Sequence, residues 1–210
     1  VTPLTSNSTN APLTSNSTST QYNQLYSLMD KYGLRYLEVA PYTFFGNDPN
    51  WYDNTYNLIQ PINSIQAILY PSTMNIVESQ DEFIIICKKI IDFFWRHNIS
   101  HIVFGAPKNR KISESFDYDR FYKFAKDIFC RLNEYCYGKN VYINIEHIPK
   151  QYGCNFLKNV SETASFIKDV NKSNIRLHID LGCMDLARDD PYLMPKQYKE
   201  CLRTLKQEEY

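Results

Sequence analysis

An excess of charge of either sign is the first thing this chain lacks: 23 Lys and Arg balance 23 Asp and Glu over 210 residues, leaving a formal net charge of zero. With no basic excess and no basic run, binding to nucleic acid or to a membrane surface through bulk electrostatics is not expected. Glycine is scarce, at six residues. None of these makes a glycine-rich phosphate loop after the first apolar run, which counts against a dinucleotide-binding fold. Histidine numbers four, few for a multi-zinc site. The six cysteines (Cys87, Cys130, Cys136, Cys154, Cys183, Cys201) contain no C-x-x-C pair. They read as isolated core thiols in a reducing compartment, and so as a cytoplasmic protein. No apolar run has the length of a membrane span. Residues 1–20 lack the basic start and apolar core of a signal peptide.

What is present begins with a repeat. Thr2-Pro-Leu-Thr-Ser-Asn-Ser-Thr9 recurs as Ala11-Pro-Leu-Thr-Ser-Asn-Ser-Thr18. A Ser/Thr/Asn tract has too little apolar surface to offset the entropy of ordering, so residues 1–20 are read as disordered low-complexity chain. The N-x-[ST] sequons at Asn7, Asn16, Asn98, Asn159 and Asn171 are what an Asn- and Ser-rich composition produces by chance. Residues 21–210 remain as one domain, long enough for a core.

From Gln21 the pattern alternates. A helical period over Tyr22–Tyr32 stops at Gly33, a residue suited to the left-handed C′ position. Apolar, β-branched runs over 34–40, 62–70, 100–105, 141–148 and 175–181 predict strands. Between them, 81–98, 118–135 and 161–170 carry the three- and four-residue spacing of amphipathic helices, and 195–206 predicts a last one. Ser161 is the expected N-cap of the third of these helices. Strand and helix in alternation mean parallel βα units. That leaves an open doubly wound sheet or a closed (β/α)8 barrel. Polar residues at every strand end favour the barrel, in which such ends carry the chemistry, but a barrel needs eight strands in typically ~250 residues and five are found.

The two richest strand ends are Ile143-Asn-Ile-Glu-His-Ile-Pro149 and Ile175-Arg-Leu-His-Ile-Asp-Leu-Gly-Cys-Met184. Each puts one carboxylate, Glu146 or Asp180, where an apolar run gives way to a loop. Two acids at adjacent strand ends make a divalent-metal site or an acid/base pair, and the spacing leaves both open. Arg110, on a strand-end loop, is either a bidentate phosphate grip or a loop ion pair. Gln66 and Glu38 are placed by alternation on the inner face, as substrate contacts or, for Glu38, as half of a buried ion pair. His178 shares a face with Asp180 and is a ligand or a satisfied interior histidine. His147 points away from Glu146 and reads as packing. His97 and His101 flank the start of a strand, the wrong end for chemistry.

Taken together, five blocks resemble the sugar phosphate isomerase/epimerase family of the xylose-isomerase-like TIM barrels. They are Tyr36-Leu-Glu-Val-Ala-Pro41, Ser64-Ile-Gln-Ala-Ile-Leu-Tyr70, Val103-Phe-Gly-Ala-Pro-Lys-Asn-Arg110, Ile145-Glu-His-Ile-Pro149 with Tyr152-Gly-Cys-Asn-Phe156, and His178-Ile-Asp-Leu-Gly-Cys-Met184. The resemblance implies a partial barrel whose strands match the second to the sixth of eight, apparently lacking strands one, seven and eight. It implies a divalent metal, Mg²⁺ or Mn²⁺ or similar, on Glu146 and Asp180, weakly held because the family's other two ligands have no position here. Glu146 also matches one of the two glutamates that move the proton. Tyr152 fits the family pattern as a substrate contact. Cys183 stands where relatives often carry a sugar-binding histidine. The function implied is metal-dependent isomerisation or epimerisation of a small sugar or sugar phosphate, with little activity if the chain is truncated. A non-catalytic barrel fragment that self-associates through open sheet edges is the alternative, and a metallohydrolase of the abasic-site endonuclease type a second.

Overall fold

The computed structural model describes residues 18–53, 62–114 and 116–189. Of the tract read as disordered over 1–20, residues 1–17 fall outside these, as does the helix expected over 195–206, while Thr18–Thr20 form the first turn of a helix expected to begin at Tyr22. The helices are α1 (Thr18–Tyr32), α2 (Tyr42–Phe45), α3 (Gln80–Arg96), α4 (Tyr118–Cys136), α5 (Val160–Val170) and α6 (Leu181–Ala187). The strands are β1 (Leu37–Val39), β2 (Ile62–Ile65), β3 (His101–Phe104), β4 (Tyr142–Glu146) and β5 (Ile175–His178). All five strands are parallel and stand side by side in chain order. This is the expected partial barrel, an α/β sheet that does not close among the described residues.

One face of the sheet and one layer of helices make the core. Ile65, Ile102, Phe104, Ile143, Ile145 and Ile175 point outward from the strands and are buried. They meet Phe83, Cys87, Ile90, Ile91 and Phe94 of α3, spaced at three and four along one helix face. Phe121, Ala125, Ile128, Phe129 and Leu132 extend the layer through α4, and Phe166, Ile167 and Val170 through α5. Phe156 plugs the α4–α5 seam, its ring 5.1 Å from Phe121 and 5.5 Å from Phe166.

The strands stop sooner than their apolar runs. After β2, Ala67 takes a φ of 53°, and after β3, Ala106 takes 44°. Both lie in the left-handed region that an L-residue with a Cβ resists, and each turns the chain off the ladder onto the rim. Gly33 takes a φ of 64° just after α1, as its position predicts. The N-cap of α5 is Asn159, not Ser161. Its side chain accepts the Glu162 N–H at 2.7 Å, and Glu162 Oε2 accepts the Lys158 N–H at 2.9 Å. Extended backbone at Asn159 (φ −144°, ψ 168°) turns its carboxamide to the free N–H groups, while Ser161 is already inside the helix.

The inner face is polar. Across the register, Ser64 stands beside His101 and His101 beside Tyr142; one pleat higher, Val103, Asn144 and Arg176 align, then Glu146 with His178. Arg176 stacks its guanidinium 3.5 Å from the Tyr142 ring centre. The Asn144 amide donates to the Ile102 carbonyl at 3.3 Å. Closed barrels commonly fill these layers with Val, Ile and Leu.

Candidate metal and substrate site

Chain direction puts the last residue of every strand on one rim. Glu146 closes β4, and Asp180 follows β5 by two residues, so both carboxylates rise from neighbouring strands on the same side. Asp180 is also the N-cap of α6, where its Oδ1 accepts the Cys183 N–H at 2.6 Å. Glu146, Asp180 and Cys183 each offer a donor atom within 4.8 Å of the other two. They are the one such group of three or more among the described residues. An ion with bonds of about 2.0–2.3 Å spans that separation after small rotations. The donor set therefore fits a divalent ion.

The electrostatics agree. Burial, and then the charge of Asp180, raise the Glu146 carboxyl to about 7, with Arg110 opposing. Burial, with Glu146 and Asp180 beside it, pushes the Cys183 thiol up to about 12. Two acids and a thiol held this close repel one another's charged forms, which a cation between them would relieve. Room for the Glu146 side chain comes from Gly105: a Cβ there would overlap Glu146 Oε2. The backbone of Gly105 is not the reason for the glycine; the close approach of the carboxylate is.

A cavity of about 300 Å³ opens at this rim, lined by Gln66, Tyr70, Gly105, Lys108, Asn109 and Glu146 among others. Gln66 thus faces the same space as Glu146, as expected, although it lies just past β2 rather than within it. Arg110 does not open onto the cavity as expected. It is 1% exposed, donates from Nη2 to the Glu146 carbonyl at 2.6 Å, and its Nε and Nη1 make no hydrogen bond. Of the exposed lysines on this loop, Lys108 and Lys111, it is Lys108 that lines the cavity, a position the sequence does not distinguish from Arg110. Glu38 is exposed and accepts the Ser64 hydroxyl at 2.7 Å, so it is not in a buried ion pair. His178 lines a second hollow of about 280 Å³ lower on the inner face, with Ser64, His101 and Asn144. Tyr152 is 55% exposed on the short turn Lys150–Tyr152 and borders neither space. His147 is fully buried, as packing requires, with Nε2 at 4.0 Å from Asp189 Oδ2. The third donor, Cys183, had two legible signals: it follows Asp180 by three residues, the spacing that stacks neighbours on a helical turn, and it stands where the resembled family often carries a histidine.

No family model and no curated protein matches the chain by sequence. Solved structures do match its fold. D-psicose 3-epimerase with D-tagatose from Clostridium cellulolyticum H10 superposes at a TM-score of 0.63 with 14% identity, covering 84% of this chain and 64% of its own. L-ribulose 3-epimerase gives 0.61 at 13%, covering 82% and 59%. The IOLI protein with a bound zinc atom gives 0.55 at 14%, covering 80% and 60%. The chain shares the α/β barrel fold of these structures and spans about three fifths of their length.

Proposed function

We propose that this chain is a metal-dependent sugar or sugar-phosphate isomerase or epimerase, moving a proton on the carbon next to a carbonyl. The observation that carries the reading is the convergence of Glu146 and Asp180 on the rim of parallel strands, beside a cavity of about 300 Å³ that Glu146 lines. That volume is at the small end of ligand pockets, the size of a monosaccharide rather than a polymer. A divalent ion held by Glu146 and Asp180 would polarise the substrate's carbonyl and adjoining hydroxyl. Glu146 is the carboxylate placed to accept the proton and to return it, its charge disfavoured by burial and by Asp180 until a cation binds. Arg110, bonded to the Glu146 carbonyl from behind, fixes where that carboxylate starts. Gln66 offers an amide to sugar hydroxyls, and Lys108 a point charge to a phosphate. Glu38, His178 and Tyr152 do not line this cavity, although His178 stands beside Glu146 in the strand register. Free thiols at Cys87, Cys130, Cys136, Cys154 and Cys183 support a reducing, cytoplasmic setting.

The test is exchange of solvent deuterium into ketoses, D-tagatose among them, at the carbon next to the carbonyl, with Mn²⁺ or Mg²⁺ supplied. Exchange that Glu146→Gln abolishes and Asp180→Asn lowers by at least about a hundredfold is the expected result. Exchange unaffected by both substitutions would place the chemistry elsewhere. A barrel fragment without activity is the second reading, favoured because β1 and β5 each pair on one side only among the described residues. Metal binding without exchange on any sugar would select it. The metallohydrolase reading gains no support, since the donor cluster contains no histidine.

A further inference from the structure

Carboxylate pairs on this rim suit hard ions that take oxygen ligands, Mg²⁺ and Mn²⁺ among them. The third donor is of another kind. Cys183 is 7% exposed and joins the two carboxylates within the same 4.8 Å. Its place is fixed through the backbone, because its own N–H is held by Asp180 Oδ1 at 2.6 Å. Asp180 and Cys183 therefore move together as the first turn of α6. A second observation points at the same spot. Arg110, 1% exposed, lies against Cys154, Glu146 and Cys183, and its Nε and Nη1 meet no oxygen acceptor. Its charge opposes the burial and the two carboxylates that keep the Cys183 thiol protonated.

Resting on the reading of Glu146 and Asp180 as the ion's carboxylates, we propose that Cys183 Sγ is the third ligand and that the centre selects a thiophilic ion, Zn²⁺ or Co²⁺, over Mg²⁺. On binding, the S–H bond breaks, the sulfur–metal bond forms and the proton leaves to solvent. Sulfur at one of three protein positions costs a hard ion a ligand and gives a borderline ion a strong one.

The experiment titrates the 210-residue chain with Co²⁺, Zn²⁺ and Mg²⁺, alongside Cys183→Ser, Cys183→Ala and the double variant Glu146→Gln/Asp180→Asn, with circular dichroism to verify each fold. The expected result is a thiolate-to-cobalt charge-transfer band in the wild type that both Cys183 variants lose. Zn²⁺ affinity should fall by roughly tenfold or more in those variants, while Mg²⁺ affinity holds. Co²⁺ that binds without the band, equally well in Cys183→Ser, overturns the sulfur ligand; if the double variant then fails to bind, the carboxylate centre stands. Co²⁺ binding that survives in the double variant overturns both. If a Cys183 variant misfolds, the band in the wild type still decides, and its absence there overturns the proposal.

Discussion

A single carboxyl concentrates the chemistry of this chain. Glu146 titrates at about 7 rather than 4.5 because the folded protein buries it beside Asp180. The folded pKa lies above the unfolded one, so the stability linked to this proton is full below about 4.5 and is lost as pH rises through about 7. Without metal, Glu146→Gln should stabilise the protein by on the order of 2–3 kcal/mol at about pH 8 and leave it nearly unchanged at about pH 4. Urea unfolding at the two pH values measures this, and equal effects at both would show that burial of the charge is not what raises the pKa. Gly105 is the companion position. Gly105→Ala forces its Cβ onto Glu146 Oε2 and close to Ile148 Cδ1, so the carboxylate must swing away from its place beside Asp180. A loss of about 1–3 kcal/mol by urea unfolding is expected, together with weaker Mn²⁺ binding. Wild-type metal affinity in this variant would mean that the carboxylate has other positions open to it.

Among the elements, caps and cores do separate work. α4 and α5 both begin on side-chain caps, Asp117 accepting the Arg120 N–H at 2.9 Å and Asn159 that of Glu162 at 2.7 Å. Asn159→Ala leaves Glu162 and its neighbours without a partner at the N-terminus of α5, which packs against β4 and β5 beneath the site. A cost of about 1 kcal/mol is expected from chemical denaturation, whereas Ser161→Ala, inside the helix, should cost little. Equal effects at the two positions would reassign the cap. The strained turns after β2 and β3 belong to this scale too. Ala67 and Ala106 at positive φ carry the chain onto the loops that line the larger cavity, the region where strained backbone tends to collect.

For the molecule as a whole, the decisive feature is an open sheet with two edges. β1 and β5 each have one hydrogen-bonded neighbour among the described residues, and the polar inner face, with Arg176, His178 and Glu38, is partly exposed. Unpaired edges are templates for another strand. The isolated 210-residue chain should therefore self-associate, and light scattering should give a mass above 24.8 kDa at micromolar concentration. A stable monomer would show that the edges are blunted by their brevity, three residues in β1 and four in β5.

By itself the sequence determined the alternation of strand and helix, the parallel order, the helix faces and the pairing of Glu146 with Asp180, because each follows from local periodicity and from where an apolar run ends. Only the tertiary structure decided the rest. Arg110 and Lys108 sit two residues apart on one loop, and nothing local says which is buried under Glu146 and which faces the cavity. Strand lengths were overestimated because alanine, unlike glycine, gives no warning of a positive φ at Ala67 and Ala106. The thiol of Cys183 joins the carboxylates through a contact between β4 and the first turn of α6. Such proximity comes from packing across long sequence separations, which a one-dimensional pattern does not encode.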